Sequence, residues 1–256
     1  MKLVTWNVNS LKVRLPQVIN WLENNDPDIL CLQETKLQDA QFPVDEILAA
    51  GYRSAYIGQK TYNGVALLSK RMGDTVVTSI PDLEDEQKRV IAASYEDIRV
   101  VCVYVPNGEN VTSDKYHYKL AWLSALRQWL QIELIQYPKL VLLGDFNIAP
   151  EDRDVYDPIA WRGQVLCSQP ERDAFFDLLD LGLVDSFRLF DQPEKTYTWW
   201  DYRMMAFRRN RGLRIDHILL SKDLARLCST CKVDKAARKH ERPSDHAPVI
   251  TELSSQ

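Results

Sequence analysis

Hydrophobic positions in this chain come in short, near-continuous runs that stop abruptly at an amide, a carboxylate, a phenol or an imidazole. Six runs behave this way: LVTWNVN (3–9), ILCLQET (29–35), VVCVYVPNG (100–108), LVLLGDFN (140–147), LRIDHILL (213–220) and PSDHAPVI (243–250). A run apolar to its last residue reads as a strand buried along its length. Its polar group can then lie only at the strand tip or in the loop beyond. Further strand-like runs fall at 52–57, 64–69, 74–79, 89–95, 98–105 and 247–253. Helical periodicity predicts a helix over 13–25, with Leu15, Val18, Ile19 and Leu22 on one face. A second spans 115–136, with Leu120, Leu123, Leu126, Trp129, Leu130 and Leu134. A third is expected at 170–181, opened by Pro170 and Glu171 and stopped by Gly182. Strands outnumber helices and follow one another without strict βαβ alternation. That balance predicts an α+β architecture of packed sheets flanked by helices.

At 256 residues the chain is long enough to bury a large core, and no linker or shift of composition divides it, so one domain over 1–256 is expected. The N-terminus enters a strand pattern directly at Leu3, without a signal or transit segment, which predicts a cytoplasmic protein with no membrane association. Five cysteines fit a reducing compartment, and Cys31 and Cys102 sit inside apolar runs as small hydrophobes. The pair Cys228 and Cys231 has no second pair or histidines nearby, and is weak grounds for a metal or redox site. The formal net charge of −4 speaks against a generally basic nucleic-acid binder. Its distribution changes that picture. Arg203, Arg208, Arg209, Arg211 and Arg214 crowd one segment beside Trp199 and Trp200, with further basic groups at Lys115 and Lys119.

The strand tips supply Asn7, Asn9, Glu34, Tyr104, Asn107, Asp145, Asn147, Asp216, Asp245 and His246. Oxygen ligands without a cysteine–histidine cluster suit Mg²⁺ or Mn²⁺. Amides, a phenol and a histidine suit a phosphoryl group, so the set points to a metal-dependent phosphoesterase. Asp145 and Asn147 lie two apart, as do Asn7 and Asn9, a spacing that puts both members on one side of extended chain. Each pair also fits an ordinary Asx turn. Glu34 ends a buried run with Lys36 two positions on; it must meet water, pair with a cation or hold a metal, and a surface ion pair with Lys36 is the plainer alternative. His246 stands between Pro243 and Pro248 beside a carboxylate, and Asp216 at another run offers an acid to orient its ring. His117, His217 and His240 lack such company and are expected to be structural or superficial.

Eight segments in register resemble the exonuclease III family of apurinic/apyrimidinic endonucleases, within the endonuclease, exonuclease and phosphatase superfamily that includes DNase I. They are Trp6 to Asn9, Leu32 to Lys36, Gly58 to Ala66, Gln87 to Ile91, Gly144 to Asn147, Gly182 to Asp185, Asn210 to Asp216 and Ser244 to Pro248. The resemblance implies a four-layer α/β sandwich with two mostly antiparallel sheets, its site at one end of them. It implies that Glu34 is the principal metal ligand, with Asn7, Asn9 and Asp245 lining the same site for Mg²⁺, or Mn²⁺. Asp145 would align or deprotonate the attacking water, with Asn147 helping. Asp216 would brace His246, and His246 and Tyr104 would share the charge growing on phosphorus-bound oxygens. Asn107, Lys115 and Arg211 would contact the substrate. Trp199, Trp200 and Leu213 would line an apolar slot for an extruded sugar without its base.

The expected substrate is double-stranded DNA carrying abasic sites or damaged 3′ ends, and the expected state a monomer. The stretch 161–170 departs from the pattern as a variable loop near where the 3′ side of the substrate should lie, where its side chains could tilt activity from internal cleavage toward trimming 3′ ends. A head-group phosphatase on the same scaffold and a non-catalytic DNA-binding module are the competing readings.

Overall fold

A computed structural model describes residues 1–254. One six-stranded sheet is built from β1 (Lys2–Asn7), β2 (Ile29–Gln33), β3 (Arg53–Ile57), β4 (Val65–Ser69), β11 (Cys228–Val233) and β12 (Val249–Leu253), in the order β11-β12-β1-β2-β4-β3. The other contains β5 (Asp74–Val77), β6 (Val90–Tyr95), β7 (Ile98–Tyr104), β8 (Leu140–Asp145), β9 (Leu183–Asp185) and β10 (Asp216–Ser221), in the order β5-β6-β7-β8-β10-β9. Each sheet is antiparallel except at its centre, where β1 runs parallel to β2 and β7 parallel to β8.

The alternation of side chains along these strands sorts them into layers. Leu3, Ile29, Cys31, Val65 and Leu67 of the first sheet meet Ile91, Val100, Cys102, Val141 and Leu143 of the second in the core between the sheets. Their neighbours Val4, Leu30, Leu32, Ala66 and Leu68 face outward, against Val18, Trp21 and Leu22 of α1 (Leu11–Asn25) and Ile47 of α2 (Val44–Ala49). On the opposite side Val101, Val103, Leu140 and Leu142 pack on Trp122, Leu126, Trp129 and Leu130 of α3 (Asp114–Gln136) and on Phe175 and Leu178 of α4 (Gln169–Leu179). Burial on both faces explains the unbroken apolar runs. Ser113 caps α3 by accepting from Tyr116 N, and Ser168 with Glu171 forms a capping box on α4.

The run at 213–220 contributes a strand only from Asp216. Leu213 and Ile215 are held instead by the loop at Trp199 and Thr198, with Thr198 Oγ1 accepting from both Ile215 N and Asp216 N. Two basic residues grouped above with surface charge are buried. Arg214 is ion-paired to Asp154 and Asp185, and Lys119 to Glu171. Among the described residues no helix is long and apolar enough to cross a membrane.

Candidate active site

Four strands end on the same rim. The C-terminal ends of β1 and β2 present Asn7 and Glu34, and those of β7 and β8 present Tyr104 and Asp145. The antiparallel neighbour β10 begins there with Asp216, paired to Asp145 across the ladder, and β12 begins shortly after His246. Gly144 lets β7 and β8 approach at this point. Its φ is +151°, and a Cβ there would lie 1.9 Å from the Val103 carbonyl oxygen.

Asn7 Nδ2 donates to Glu34 Oε1 (3.0 Å) and Asp145 Oδ2 (2.9 Å), while its Oδ1 accepts from Asn9 N (2.9 Å). Asn7 therefore turns donors, not its carbonyl, toward the two acids. It orients the two carboxylates beside which the metal is expected. Tyr104 OH donates to Glu34 Oε1 at 2.8 Å. Lys36 Nζ stands 2.9 Å from Glu34 Oε2 and 2.6 Å from Asn9 Oδ1, so the ion pair weighed above as the plainer alternative is present. Asn9 Nδ2 in turn donates to Asp245 Oδ1 (2.9 Å), and Trp199 Nε1 to Asp245 Oδ2 (2.9 Å).

Asp145 Oδ1 accepts from Asn147 N (2.9 Å), and Asn147 Oδ1 accepts from Asn107 Nδ2 (3.0 Å). His246 Nδ1 lies 2.9 Å from Asp216 Oδ2, and its Nε2 lies 3.8 Å from Asp145 Oδ2. Ser244 Oγ fastens the histidine loop to β1, donating to the Asn7 carbonyl (2.6 Å) and accepting from His246 N (3.2 Å).

Burial raises the Asp145 carboxyl to about 7, with Asp216 adding to the rise and His246 and Asn7 opposing it. Burial alone would lower His246, but Asp216 and Asp145 raise it to about 10. At neutral pH the imidazole is thus a cation aimed at a carboxylate that titrates nearby. Glu34 and Asp245 move the other way. Burial penalises both charged forms, yet Lys36 and Asn7 outweigh it at Glu34, and His246, Asn9 and Trp199 at Asp245.

Asp145, Asp216 and His246 approach one another within 4.8 Å. Within that cluster the imidazole is braced by Asp216 and faces Asp145, an ion-paired arrangement of two acids and one base. Glu34 Oε2 and Asn9 Oδ1, both in contact with the Lys36 ammonium, with Asp245 beyond Asn9, form an all-oxygen set that suits Mg²⁺ or Mn²⁺.

The more distant residues separate. Lys115 is exposed and paired to Glu109 (2.8 Å) at the mouth of a cleft of about 800 Å³ that also reaches Tyr104 and Asn107. Arg211 is exposed. Trp200 is not on a slot wall: it is 0% exposed, its Nε1 donates to Asn210 Oδ1 (3.1 Å), and its ring packs edge-on against Phe207. Leu213 is likewise wholly buried, because Leu166 and Cys167 of the variable stretch pack with it, with Ile215 and with the half-buried Trp199. Leu166 holds a left-handed backbone, φ +73°, costly for a branched aliphatic residue. Its carbonyl accepts from Ala149 N (2.8 Å) and its N–H donates to Glu171 Oε1 (3.0 Å). Sequence reasoning missed Lys119, which donates to the Asn147 (2.6 Å) and Asn107 (3.2 Å) carbonyls from a fully buried position. Its only signal was a cation among the apolar positions of α3.

Residues 4–246 match the model of the Endonuclease/Exonuclease/phosphatase family. The chain is 37% identical to exodeoxyribonuclease III of Haemophilus influenzae over 99% of this chain and 100% of that one. Two solved structures are similar over the full length of both chains. One is the 3′ phosphatase NExo from Neisseria bound to product DNA hairpin, at 50% identity and a TM-score of 0.98. The other is an AP endonuclease from Archaeoglobus fulgidus, at 38% identity and a TM-score of 0.96.

Proposed function

The chain belongs to the endonuclease/exonuclease/phosphatase family and is a nuclease of the exonuclease III type, and from that premise we propose that it is a Mg²⁺-dependent phosphodiesterase of damaged duplex DNA. In this reading the whole chain acts as one domain, a cytoplasmic monomer, hydrolysing DNA 5′ to abasic sites and clearing 3′ nucleotides or blocking groups. The observation that carries it is the pairing of a buried Asp145, poised near neutral pH, with an imidazolium that Asp216 holds in place.

Asp145 takes a proton from a water whose oxygen attacks phosphorus, and Asn147 fixes the Asp145 carboxylate through its backbone N–H. The bond from phosphorus to the 3′ oxygen breaks, and that oxygen recovers a proton from solvent. His246 Nε2–H faces the charge that develops on the non-bridging oxygens, with Tyr104 OH and Asn107 Nδ2 as further donors nearby. Glu34, with Asn9 and Asp245 beyond Lys36, would hold Mg²⁺ or Mn²⁺, which when bound supplies Lewis-acid stabilisation of the phosphoryl group. The phosphate contacts are assigned to Lys115 and Arg211, at the edges of the site.

A specific observation favours 3′ ends over extruded abasic sugars. The apolar slot that such a sugar would enter is filled by Leu166 against Leu213, Ile215 and Trp199. The relative NExo, a 3′ phosphatase, supports that emphasis.

The test is a labelled duplex with one abasic-site analogue and a second with a 3′-phosphate at a nick, each with Mg²⁺ or EDTA. Release of the 3′-phosphate should require the metal and fall by about 10²–10⁴-fold in Asp145→Ala. No cleavage of either substrate would refute the reading.

A further inference from the structure

We propose that the Lys36 ammonium is the resident counter-ion of the Glu34 site, and that a divalent ion must displace it to bind. The inference rests on reading Glu34 as the metal-holding carboxylate. Lys36 Nζ reaches Glu34 Oε2 at 2.9 Å and Asn9 Oδ1 at 2.6 Å, so one ammonium occupies two oxygens that a hard cation would use. The other Glu34 oxygen already accepts from Asn7 Nδ2 and Tyr104 OH.

The backbone is built to hold this contact. Glu34 and Lys36 both adopt left-handed conformations, φ +50° and +54°, which residues with a Cβ seldom take. Four main-chain bonds fix the loop: Ser10 N to Glu34 O (2.8 Å), Leu11 N to Thr35 O (3.0 Å), Thr35 N to Gly64 O (3.2 Å) and Lys36 N to Asn63 O (2.9 Å). Conformations of this kind persist where the surroundings over-determine them.

The charges give the contact a purpose. The Glu34 side chain is only 17% exposed, and a carboxylate so enclosed destabilises the metal-free protein unless a cation accompanies it. An ammonium and a divalent ion in adjacent positions repel each other with little intervening water. The flexible Lys36 stem, 29% exposed, has a path out of the site. The arriving ion therefore exchanges with the ammonium instead of adding to it. Metal affinity is held below what the oxygen donors alone would give, and the released Lys36 becomes a free positive group beside the anionic substrate.

Mn²⁺ titration of the full-length protein, followed by the electron paramagnetic resonance of the free ion, tests this directly. Lys36→Met should bind Mn²⁺ about tenfold more tightly than the parent, and Lys36→Arg, which keeps the charge, should stay near it. Metal-free Lys36→Met should also melt lower and gain more on adding Mn²⁺, since Glu34 then lacks its counter-ion. Should that variant fail to fold, Lys36→Gln carries the same comparison. Unchanged or weaker Mn²⁺ binding in the neutral variant overturns the exchange. Glu34→Gln separates the exchange from the metal site itself: if it binds Mn²⁺ as the parent does, the metal-site reading falls and the exchange with it. A failure confined to the Lys36 variants leaves that reading standing.

Discussion

At Leu166 two rules of side-chain economy conflict. A branched side chain sits in left-handed backbone, where it costs of order 1 kcal/mol, yet it is 4% exposed and packed against Leu213, Ile215 and Trp199. Leu166→Gly relieves the backbone and empties the slot at once. Loss of the side chain costs about 2–5 kcal/mol and the relief returns about 1, so a modest fall in melting temperature is expected. Incision at an internal abasic-site analogue should rise by roughly tenfold or more, the scale on which an apolar slot discriminates by size. Release of a 3′-phosphate, which does not use the slot, should change little. If the ratio of the two activities is the same in variant and parent, Leu166 does not select the substrate. The chemistry of the rim was legible because Glu34, Tyr104, Asp145 and His246 each interrupt or end an apolar run. The direction in which Asn7 turns its amide was not, because it depends on Asn9 N across a turn.

At the level of strands, β10 couples the site to the protein's acid stability through His217. The Arg214 guanidinium donates to its Nδ1 (3.0 Å), and its Nε2–H donates to the Ile148 carbonyl (2.9 Å), so both ring atoms are satisfied only in the neutral form. Burial, and then Arg214, lowers this histidine to about 4. Between about 6.5 and 4 the unfolded chain binds a proton that the folded chain refuses, so stability falls as pH falls, by on the order of 3 kcal/mol. Asp145 and His246 are held above their usual values and act with the opposite sign, being stabilised in their protonated forms as pH falls. Denaturant melts of the parent and His217→Gln across that range isolate the histidine: the variant should lose less stability on acidification. An identical pH slope would show that His217 does not carry the effect. Apolar runs disclosed β1, β2, β7 and β8 because both of their faces are covered. They did not disclose β11, an edge strand whose Cys228–Val233 sequence alternates small and polar side chains, nor the three-residue β9. The apolar pattern at 213–220 starts before its strand does, since Leu213 pairs with the Trp199 loop and β10 begins at Asp216.

Over the whole molecule the charge is −4, so attraction to a polyanion must come from local arrangement. With Arg214 consumed by Asp154 and Asp185, the exposed Arg203, Arg208, Arg209 and Arg211 remain. The logarithm of kcat/KM on duplex DNA should fall linearly with the logarithm of salt concentration. Replacing Arg208 and Arg209 with Gln should lower that slope by about one unit for each phosphate left without its arginine. A slope untouched by the double substitution would place DNA on another face. The pairing of β1 with β12 has a consequence for how the molecule comes into being. Met1 donates its terminal ammonium to the Leu253 carbonyl, and Trp6 Nε1 donates to the His246 carbonyl across 240 residues of chain. A nascent polypeptide emerging from the ribosome soon presents Asn7, Glu34, Tyr104 and Asp145, but β1 keeps an open edge and the imidazole is still unmade. Pairings of such sequence separation form late. On the role proposed for His246, a chain still short of that residue lacks the imidazole the reaction uses, so nuclease activity should appear only once translation has passed it.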